Sequence, residues 1–421
     1  MVQNTPSSAA DASHDSDTPK KKRLGLLPQI LIAIVLGIVC GLFFPDWLVK
    51  VFATFNGLFG NYLGFIIPLI IVGLITPAIS ELGKGAGKWL GITAAIAYGS
   101  TLFAGFLAFG VSMIVLPSLL AGHSMSTAAN PEDALLGAYF QVEMPPVFGV
   151  MTALVLSFLV GVFLTFIKGD VLRRSFLEFR DIVDLAIRVT LIPLLPLYIF
   201  GIFLNMSATG EAFTIISTFL GVVAFVFALT VVMLLLQFTL ASVFFGRNPL
   251  VMLKTMLPAY ATALGTSSSA ATIPVTLRQA IKMGVSTPVA SFVVPLCATI
   301  HLAGSTVKIT AFALAIMMLS GAPINAAAIV GFIFMLGITM VAAPGVPGGA
   351  IMTAAGLLTS MLGFTEPQVG LMIATYIAID SFGTATNVTG DGAIAAIMNR
   401  LITGKRYDRS EAEADAVAAP A

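Results

Sequence analysis

The last long apolar stretch of the sequence carries four polar side chains at a spacing that could bind a cation or a polar solute. Asp380, Thr384, Asn387 and Asp391 follow one another at intervals of four, three and four residues, which places them on one face of a helix. Carboxylates within a membrane span are costly and indicate a functional site. We therefore expect this face to look into the protein. The alternative is that Asp391 is merely hydrated near the basic end of the span.

Two other apolar stretches are interrupted by residues that break helices. Residues 250–283 contain Gly265 followed by one threonine and three serines, and residues 323–364 contain two prolines and three glycines between Pro344 and Gly349. Irregular backbone at membrane depth is tolerated only where protein or a water-filled cavity satisfies its polar groups. We predict that the first is a hairpin tip whose second half-helix points its amides at an anion. The second would be a flexible gate. Ordinary interhelical bonding by serines and a structural kink are the alternatives.

A histidine and a lysine lie between these two interruptions. Lys308 is the only formally charged side chain from residue 283 to residue 365, and His301 precedes it by seven residues. The lysine either faces a site or extends its amine to the membrane surface. Three hydroxyl side chains, two to nine residues before it, could supply oxygen ligands: Thr299, Ser305 and Thr306.

Composition indicates which elements must position these residues. The chain has 421 residues, of which 58% are hydrophobic and 10% charged, whereas roughly a quarter are charged in ordinary soluble domains. A soluble globular enzyme is thereby excluded. The net charge of +1 offers no basic surface for nucleic acid. Cys40 and Cys297 are the only cysteines, so neither a disulfide framework nor a cysteine-based metal site is expected.

The apolar stretches predict an all-α polytopic membrane protein. A helix needs about 20 apolar residues to cross the hydrocarbon core. Six plain stretches satisfy this, at about 24–44, 52–80, 88–117, 146–167, 182–205 and 213–244. Two further spans would occupy about 286–320 and 367–402, on either side of the second interrupted stretch.

The distribution of basic residues predicts the orientation of these spans. Basic residues concentrate on the cytoplasmic side, and the run from Lys20 to Arg23 places the amino terminus there. Basic residues flank both ends of 250–283, which predicts a re-entrant hairpin from the inside, and 323–364 becomes a hairpin from the outside. The expected result is eight transmembrane helices plus two opposed re-entrant hairpins in the cell membrane, with both termini cytoplasmic.

Three motifs, in this order, resemble those of a known family. They are SSSAATIP at 267–274, GVPG at 345–348 and NVTGD at 387–391. Together they are similar to the signatures of the dicarboxylate/amino acid:cation symporters, the glutamate-transporter-like family, and the likeness runs from about Pro28 to Arg400. It implies a homotrimer in which scaffold helices support a transport domain that moves by an elevator mechanism.

The resemblance implies a division of the chain into domains. Disordered cytoplasmic tails would occupy 1–23 and 404–421. Scaffold helices 1 and 2 would occupy 24–82 and scaffold helices 4 and 5 would occupy 145–206, with helix 3 and an extracellular loop at 83–144 between them. The main part of the transport domain would span 207–403, with helix 6, hairpin 1 at about 250–283, helix 7, hairpin 2 at about 323–364, and helix 8.

The resemblance also implies roles for individual positions. Substrate contacts would come from both interruptions and the last two spans: Thr266, Ser267, Ser268, Ser269, Ser305, Val346, Pro347, Gly348, Gly349, Asp380, Gly383, Thr384 and Asn387. The positions implied for cations are Asn387, Asp391, Cys297 through nearby carbonyls, Thr299 and His301. Such oxygen-rich sets suit hard cations. No cofactor is expected beyond co-transported sodium or protons.

The sequence departs from the family pattern in the seventh span. Where the family reads Asn-Met-Asp-Gly-Thr, this chain has His301, Leu302, Ala303, Gly304 and Ser305, so the family's carboxylate is an alanine here. We hypothesise that the lysine seven residues after the histidine, or the protonated histidine itself, takes the electrostatic role of one bound cation. Coupling to protons would then be open, because histidine titrates near neutral pH.

The last span departs as well, being about one turn shorter than the family pattern before Asn387. Without a gap, Asp380 stands where the family binds the substrate's amino group, and Gly383 where many members have an arginine. With a gap nearer Asn387, Asp380 is structural. Thr266 stands where some members supply another arginine. An acidic side chain would lack its bidentate partner, so we expect a neutral amino acid or a small organic acid as substrate.

The expected function is secondary active symport of a small organic solute with sodium or protons. A passive or weakly coupled carrier or channel for a small organic anion or ion is the alternative. No enzyme is expected, because the HExxH and GxSxG motifs are absent. The expected partners are the small-molecule substrate, membrane lipid and copies of the same chain, and no nucleic acid.

Overall fold

The computed structural model describes residues 26–83, 88–121, 136–208, 212–343, 348–404 and 407, and every regular element in these ranges is a helix. In chain order the helices are α1 (Leu26–Gly41), α2 (Asp46–Gly83), α3 (Lys88–Leu119), α4 (Val150–Leu164), α5 (Val171–Ala208, with a π turn at Ile187–Leu191), α6 (Ala212–Phe245), α7 (Pro249–Thr266), α8 (Ser269–Lys282), α9 (Thr287–Ile300), α10 (Ala303–Leu319), α11 (Ala326–Val341), α12 (Gly349–Leu362), α13 (Glu366–Ala378) and α14 (Asp380–Thr403).

Several helices are long and apolar enough to cross a membrane. Five qualify among the described residues, and a sixth span results if α13 and α14, which are bent by 62° at their junction, count as one. The first and fourth predicted spans correspond to α1 and α4, which are shorter apolar helices. The all-helical, many-span architecture is therefore confirmed, whereas the count of eight spans stays a prediction.

Both predicted interruptions fall between helices. The stretch 250–283 is divided into α7 and α8, which pack against each other, and 323–364 is divided into α11 and α12, which also pack together. The second interruption lies mostly outside the described residues, which resume at Gly348. That these pairs enter the membrane from opposite sides stays a prediction.

A further break divides the predicted seventh span. α9 ends at Ile300 and α10 begins at Ala303, with His301 and Leu302 in extended or irregular backbone between them. Neither residue is glycine or proline, so residue type alone gives no signal for this break.

The last helix, α14, is surrounded by other helices from the second half of the chain. α14 packs against α6, α7, α8, α9 and α10. Its residues from Gly383 to Met398 are all buried, although the polar residues among them would favour a water-facing helix. A helix that is buried on all sides has no hydrated face, so its polar side chains must find partners on the surrounding helices.

Candidate functional site

The bend between α13 and α14 places a carboxylate at the meeting point of three segments. Asp380 Oδ1 lies 3.2 Å from Lys308 Nζ on α10, and Oδ2 accepts a hydrogen bond of 2.8 Å from the backbone N–H of Gly348, just before α12. Gly348 adopts φ +74°, a left-handed conformation that favours glycine. Asp380 therefore fastens the start of α12 to the junction of α13 and α14.

Lys308 is held inside the protein by three different groups. Its side chain is fully buried. Besides Asp380, its Nζ donates to the carbonyl oxygen of Ile379 at 3.4 Å and lies 3.7 Å from the ring centroid of Tyr376. The alternative in which Lys308 extends to the membrane surface is wrong, because its amine is enclosed by this cluster.

Gly383 provides the space that the lysine occupies. A Cβ atom added at Gly383 would lie 2.3 Å from Lys308 Cε and 2.5 Å from Nζ. Distances this short are not compatible with van der Waals contact, so a side chain at Gly383 would displace the lysine. The space beside this glycine is thus filled by a lysine from another helix.

Asn387 joins α14 to the first turn of α10. Its Oδ1 accepts hydrogen bonds from the backbone N–H groups of Gly304 (2.8 Å) and Ser305 (3.3 Å). The first N–H groups of a helix have no intrahelical partners, and the amide oxygen supplies two. Asn387 Nδ2 also donates to Ser305 Oγ at 3.1 Å, and Tyr376 donates to the same oxygen at 2.9 Å. These contacts fix the break before α10 against α13 and α14.

A second buried pair lies deeper along α14. His301 Nδ1 is 2.8 Å from Asp391 Oδ1, and the two side chains are 0% and 1% exposed. The alternative that Asp391 is hydrated at the membrane surface is wrong, since this carboxylate is enclosed. His301 Nε2 lies 3.1 Å from Ser100 Oγ and 3.3 Å from Gln237 Nε2.

The partners of His301 favour one arrangement of its protons. Gln237 Nε2 can only donate, and it also donates to Ser100 Oγ at 2.9 Å. An Nε2 that accepts from this amide leaves the proton of the neutral ring on Nδ1, where it is donated to Asp391. Helices α3, α6 and α14 thereby hold the histidine on three sides.

The first helix pair presents a polar tip with an unusual backbone. Thr266 ends α7, Ser267 adopts φ +47°, and Ser268 caps α8 by accepting from the N–H of Ala271 at 3.3 Å. Ser267 is the one non-glycine residue with positive φ in the described ranges, and such strain is concentrated at functional sites. Thr266 is exposed, and the serines that follow are half-buried. The tip therefore has groups open to a ligand.

The remaining predicted residues are placed as follows. Thr384 is buried on the α14 face that carries Asp380 and Asn387, whereas Val346 and Pro347 lie outside the described residues. Cys297 is buried, and its carbonyl accepts from the N–H of His301 at 2.9 Å. Thr299 is exposed, and its hydroxyl donates to Leu296 of its own helix.

Among the described residues, the polar cluster on and around α14 lacks the features of a transition-metal centre. In the described ranges no group of three or more His, Cys, Asp or Glu side chains could hold a metal ion. The polar groups that converge are carboxylate, amide, hydroxyl and backbone oxygens at broken helices. Such oxygens suit hard monovalent or divalent cations rather than softer metals.

Three important members of the cluster were not predicted from the sequence. Ser100, Gln237 and Tyr376 lie on α3, α6 and α13, far from the motifs, and contact the predicted residues only in the folded chain. Gln237 carries the one available signal, since it is an amide in the middle of a long apolar helix. Ser100 and Tyr376 are residue types common in membrane helices and offer no comparable signal.

Comparison with known proteins relates the chain to a family of membrane transporters. The model of the Sodium:dicarboxylate symporter family matches residues 26–401, which include every contact described above. The Serine/threonine transporter SstT of Streptococcus suis (strain 05ZYH33) is 25% identical over 340 residues, which cover 79% of this chain and 94% of that protein.

Proposed function

The chain belongs to the Sodium:dicarboxylate symporter family, and on that premise we propose that it carries a small neutral amino acid across the cell membrane together with sodium. L-serine and L-threonine are the first candidates. The observation that carries this choice is the pairing of Lys308 with Asp380.

The electrostatics of the site disfavour a substrate with two carboxylates. Lys308 is the sole buried lysine or arginine in the described ranges, and it already neutralises Asp380. A second substrate carboxylate would therefore be desolvated without a free cation to pair with it, which is costly. A neutral side chain avoids this cost. The name of the Streptococcus suis relative, a serine/threonine transporter, agrees with this choice.

The predicted residues receive specific roles in this proposal. The substrate carboxylate binds at the tip between α7 and α8, where N–H groups in the first turn of α8 and the serine hydroxyls can donate. Its ammonium group binds Asp380, whose oxygens can each accept more than one hydrogen bond. The side-chain hydroxyl lies near Thr384 and Asn387, and the segment from Val346 to Gly349 covers the site.

Sodium binds next to the substrate in this proposal. Asp391 and the carbonyls exposed at the break between α9 and α10 supply oxygens, and Asn387 connects this region to the substrate site. Thr299 and the backbone before Gly345 form a second cation site when the outer hairpin closes. Coupling then follows because the same helix, α14, contacts both ligands.

Large movements and assembly belong to the same proposal. Helices α1, α2, α4 and α5 act as the scaffold of a homotrimer, and the remaining helices move as an elevator. The exposed apolar side chains on α1 and α4, among them Val35, Leu159 and Phe163, suit contact with lipid or with other copies.

Uptake by reconstituted protein tests the proposal. Purified protein in liposomes is given radiolabelled L-serine with an inward sodium gradient, an inward proton gradient, both or neither. We expect accumulation above the external concentration only when sodium is present as a gradient. Equilibration without accumulation would indicate a passive carrier, and accumulation driven by protons alone would replace sodium as the coupling ion. No uptake of L-serine or L-threonine under any gradient would contradict the proposed substrate.

A further inference from the structure

The ammonium group of Lys308 occupies a position with the ligands of a cation site. One carboxylate oxygen of Asp380 lies 3.2 Å from it, and the carbonyl oxygen of Ile379, at the bend between two helices, lies 3.4 Å from it. The face of Tyr376 lies 3.7 Å away, an arrangement that attracts cations. Carboxylate oxygen combined with a carbonyl at a broken helix is also how proteins in membranes bind free cations.

The protein holds this ammonium group in a fixed place. The lysine side chain is fully buried, and the absence of a Cβ atom at Gly383 gives its last two atoms the room they need. A flexible lysine that merely filled space would not require contacts on three sides. The positive charge is therefore part of the site in the same way as a bound ion.

The surrounding charges show why Asp380 needs this partner. The other buried charged or titratable pair within the described helices, His301 with Asp391, lies eleven residues further along α14, roughly 16 Å along a helix axis. The N–H of Gly348 and the hydroxyl of Tyr376, which also interact with this carboxylate, carry no formal positive charge. Without the lysine, the negative charge of Asp380 would have no counter-ion.

We propose that Lys308 is a built-in cation that takes the place of one co-transported cation. The carrier then moves one positive charge fewer per solute than a carrier with the same site and no lysine. Removal of the lysine charge creates a new site for a monovalent cation at Asp380, and sodium fills it. This inference rests on the proposed symport function for its transport consequence, whereas the new cation site does not depend on the solute.

Charge counting in liposomes tests the transport consequence. The number of charges moved per L-serine is measured from the membrane potential at which net uptake of labelled serine is zero. Lys308→Met is expected to move one more positive charge per serine than the wild type. Lys308→Arg, which retains the charge, should keep the wild-type count, whereas the double variant Lys308→Met/Asp380→Asn, which removes both charges, is the control for sodium binding measured without solute. An unchanged count in Lys308→Met would overturn the proposal.

A binding measurement separates this inference from the proposed function. The melting temperature of each purified variant is measured without solute while sodium replaces choline at constant ionic strength. Binding to the folded state raises the melting temperature by mass action. Sodium should therefore raise the melting temperature of Lys308→Met more than that of the wild type or of the double variant. An equal response in all three proteins would overturn the inference. So would a Lys308→Met protein that fails to fold at every sodium concentration while the double variant folds. If the wild type takes up no serine but Lys308→Met shows the larger sodium response, the proposed substrate fails and the built-in cation stands.

Discussion

Two buried pairs, each with its carboxylate on α14, show how similar groups serve different purposes. The Lys308–Asp380 pair lies where α13 bends into α14, and it touches the start of α12 through Gly348. In the second pair, Asp391 lies in the uninterrupted part of α14, and its partner His301 also contacts Ser100 and Gln237. Each pair connects α14 to α10 or to the residues just before α10. The two pairs thereby hold the two ends of the polar face of α14 in place.

The two pairs differ in the segments that they bond and in the charge that is left when one partner is lost. Asp380 is 8% exposed and bonds a segment that leads directly into the proposed gate, whereas Asp391 is 1% exposed and bonds His301, which in turn contacts α3 and α6. Lysine and aspartate both carry full charges, so loss of either partner leaves an uncompensated charge. A histidine can be neutral, so the deeper pair tolerates loss of its carboxylate more easily. Both ligand binding and the stability of the fold are therefore expected to be more sensitive to loss of the carboxylate of the first pair than to loss of that of the second.

The largest effect is expected for Asp380→Asn. This variant keeps the size of the side chain but leaves the Lys308 charge buried without a partner, which typically costs about 3–5 kcal/mol. The melting temperature in detergent should fall accordingly. Asp46→Asn, at an exposed aspartate in the first turn of α2, is the control and should change stability by less than about 0.5 kcal/mol. Equal melting of Asp380→Asn and wild type would contradict the importance of the first pair.

A smaller but clear effect is expected for Gly383→Ala. The added methyl group would collide with Lys308, and overpacking of this kind costs about 1–3 kcal/mol. Gly110→Ala is the matched control, because nothing lies within 4 Å of its Cβ position; helical alanine there should stabilise by roughly 0.5–1 kcal/mol. Thermal unfolding of the two variants should shift in opposite directions, and a stabilising Gly383→Ala would refute the tight fit of the lysine.

The deeper pair should respond less to the same substitution. Asp391→Asn leaves an amide oxygen that can still accept from His301 Nδ1, and no charge is stranded when the histidine is neutral. We expect a loss of about 1–2 kcal/mol, the scale of one weakened buried hydrogen bond. Thermal unfolding of Asp391→Asn and Asp380→Asn in parallel sharpens the comparison. A larger loss at Asp391 than at Asp380 would reverse the assigned difference between the pairs.

The smallest effect is expected for Tyr376→Phe. This variant removes the hydrogen bond to Ser305 but keeps the aromatic face over Lys308, so the expected loss is about 0.5–1.5 kcal/mol. Tyr139→Phe is the control, since its hydroxyl donates to Trp47 at an exposed site. Tyr376→Leu should be worse than Tyr376→Phe because it also removes the ring. Equal stability of the two Tyr376 variants would exclude a contribution from the ring.

The sequence predicted the elements better than the contacts between them. The spacing from Asp380 to Asp391 correctly predicts one buried helix face, because helical periodicity is a local property. Glycine, proline and serine runs likewise mark the divisions between α7 and α8 and between α11 and α12. The partner of Asp380 could not be predicted, because Lys308 lies 72 residues away along the chain and meets it only through helix packing. The break at His301 and Leu302 was missed for a similar reason, since it depends on Asn387 bonding to the start of α10.

The dependence of serine binding on sodium tests the central claim, that solute and cation bind to one connected cluster on α14. The affinity for L-serine is measured by titration calorimetry at increasing sodium and constant ionic strength. We predict that sodium strengthens serine binding and that serine strengthens sodium binding by the same factor, as linkage requires. Asn387→Ala should weaken this coupling. Serine binding to the wild type that is independent of sodium would contradict the account.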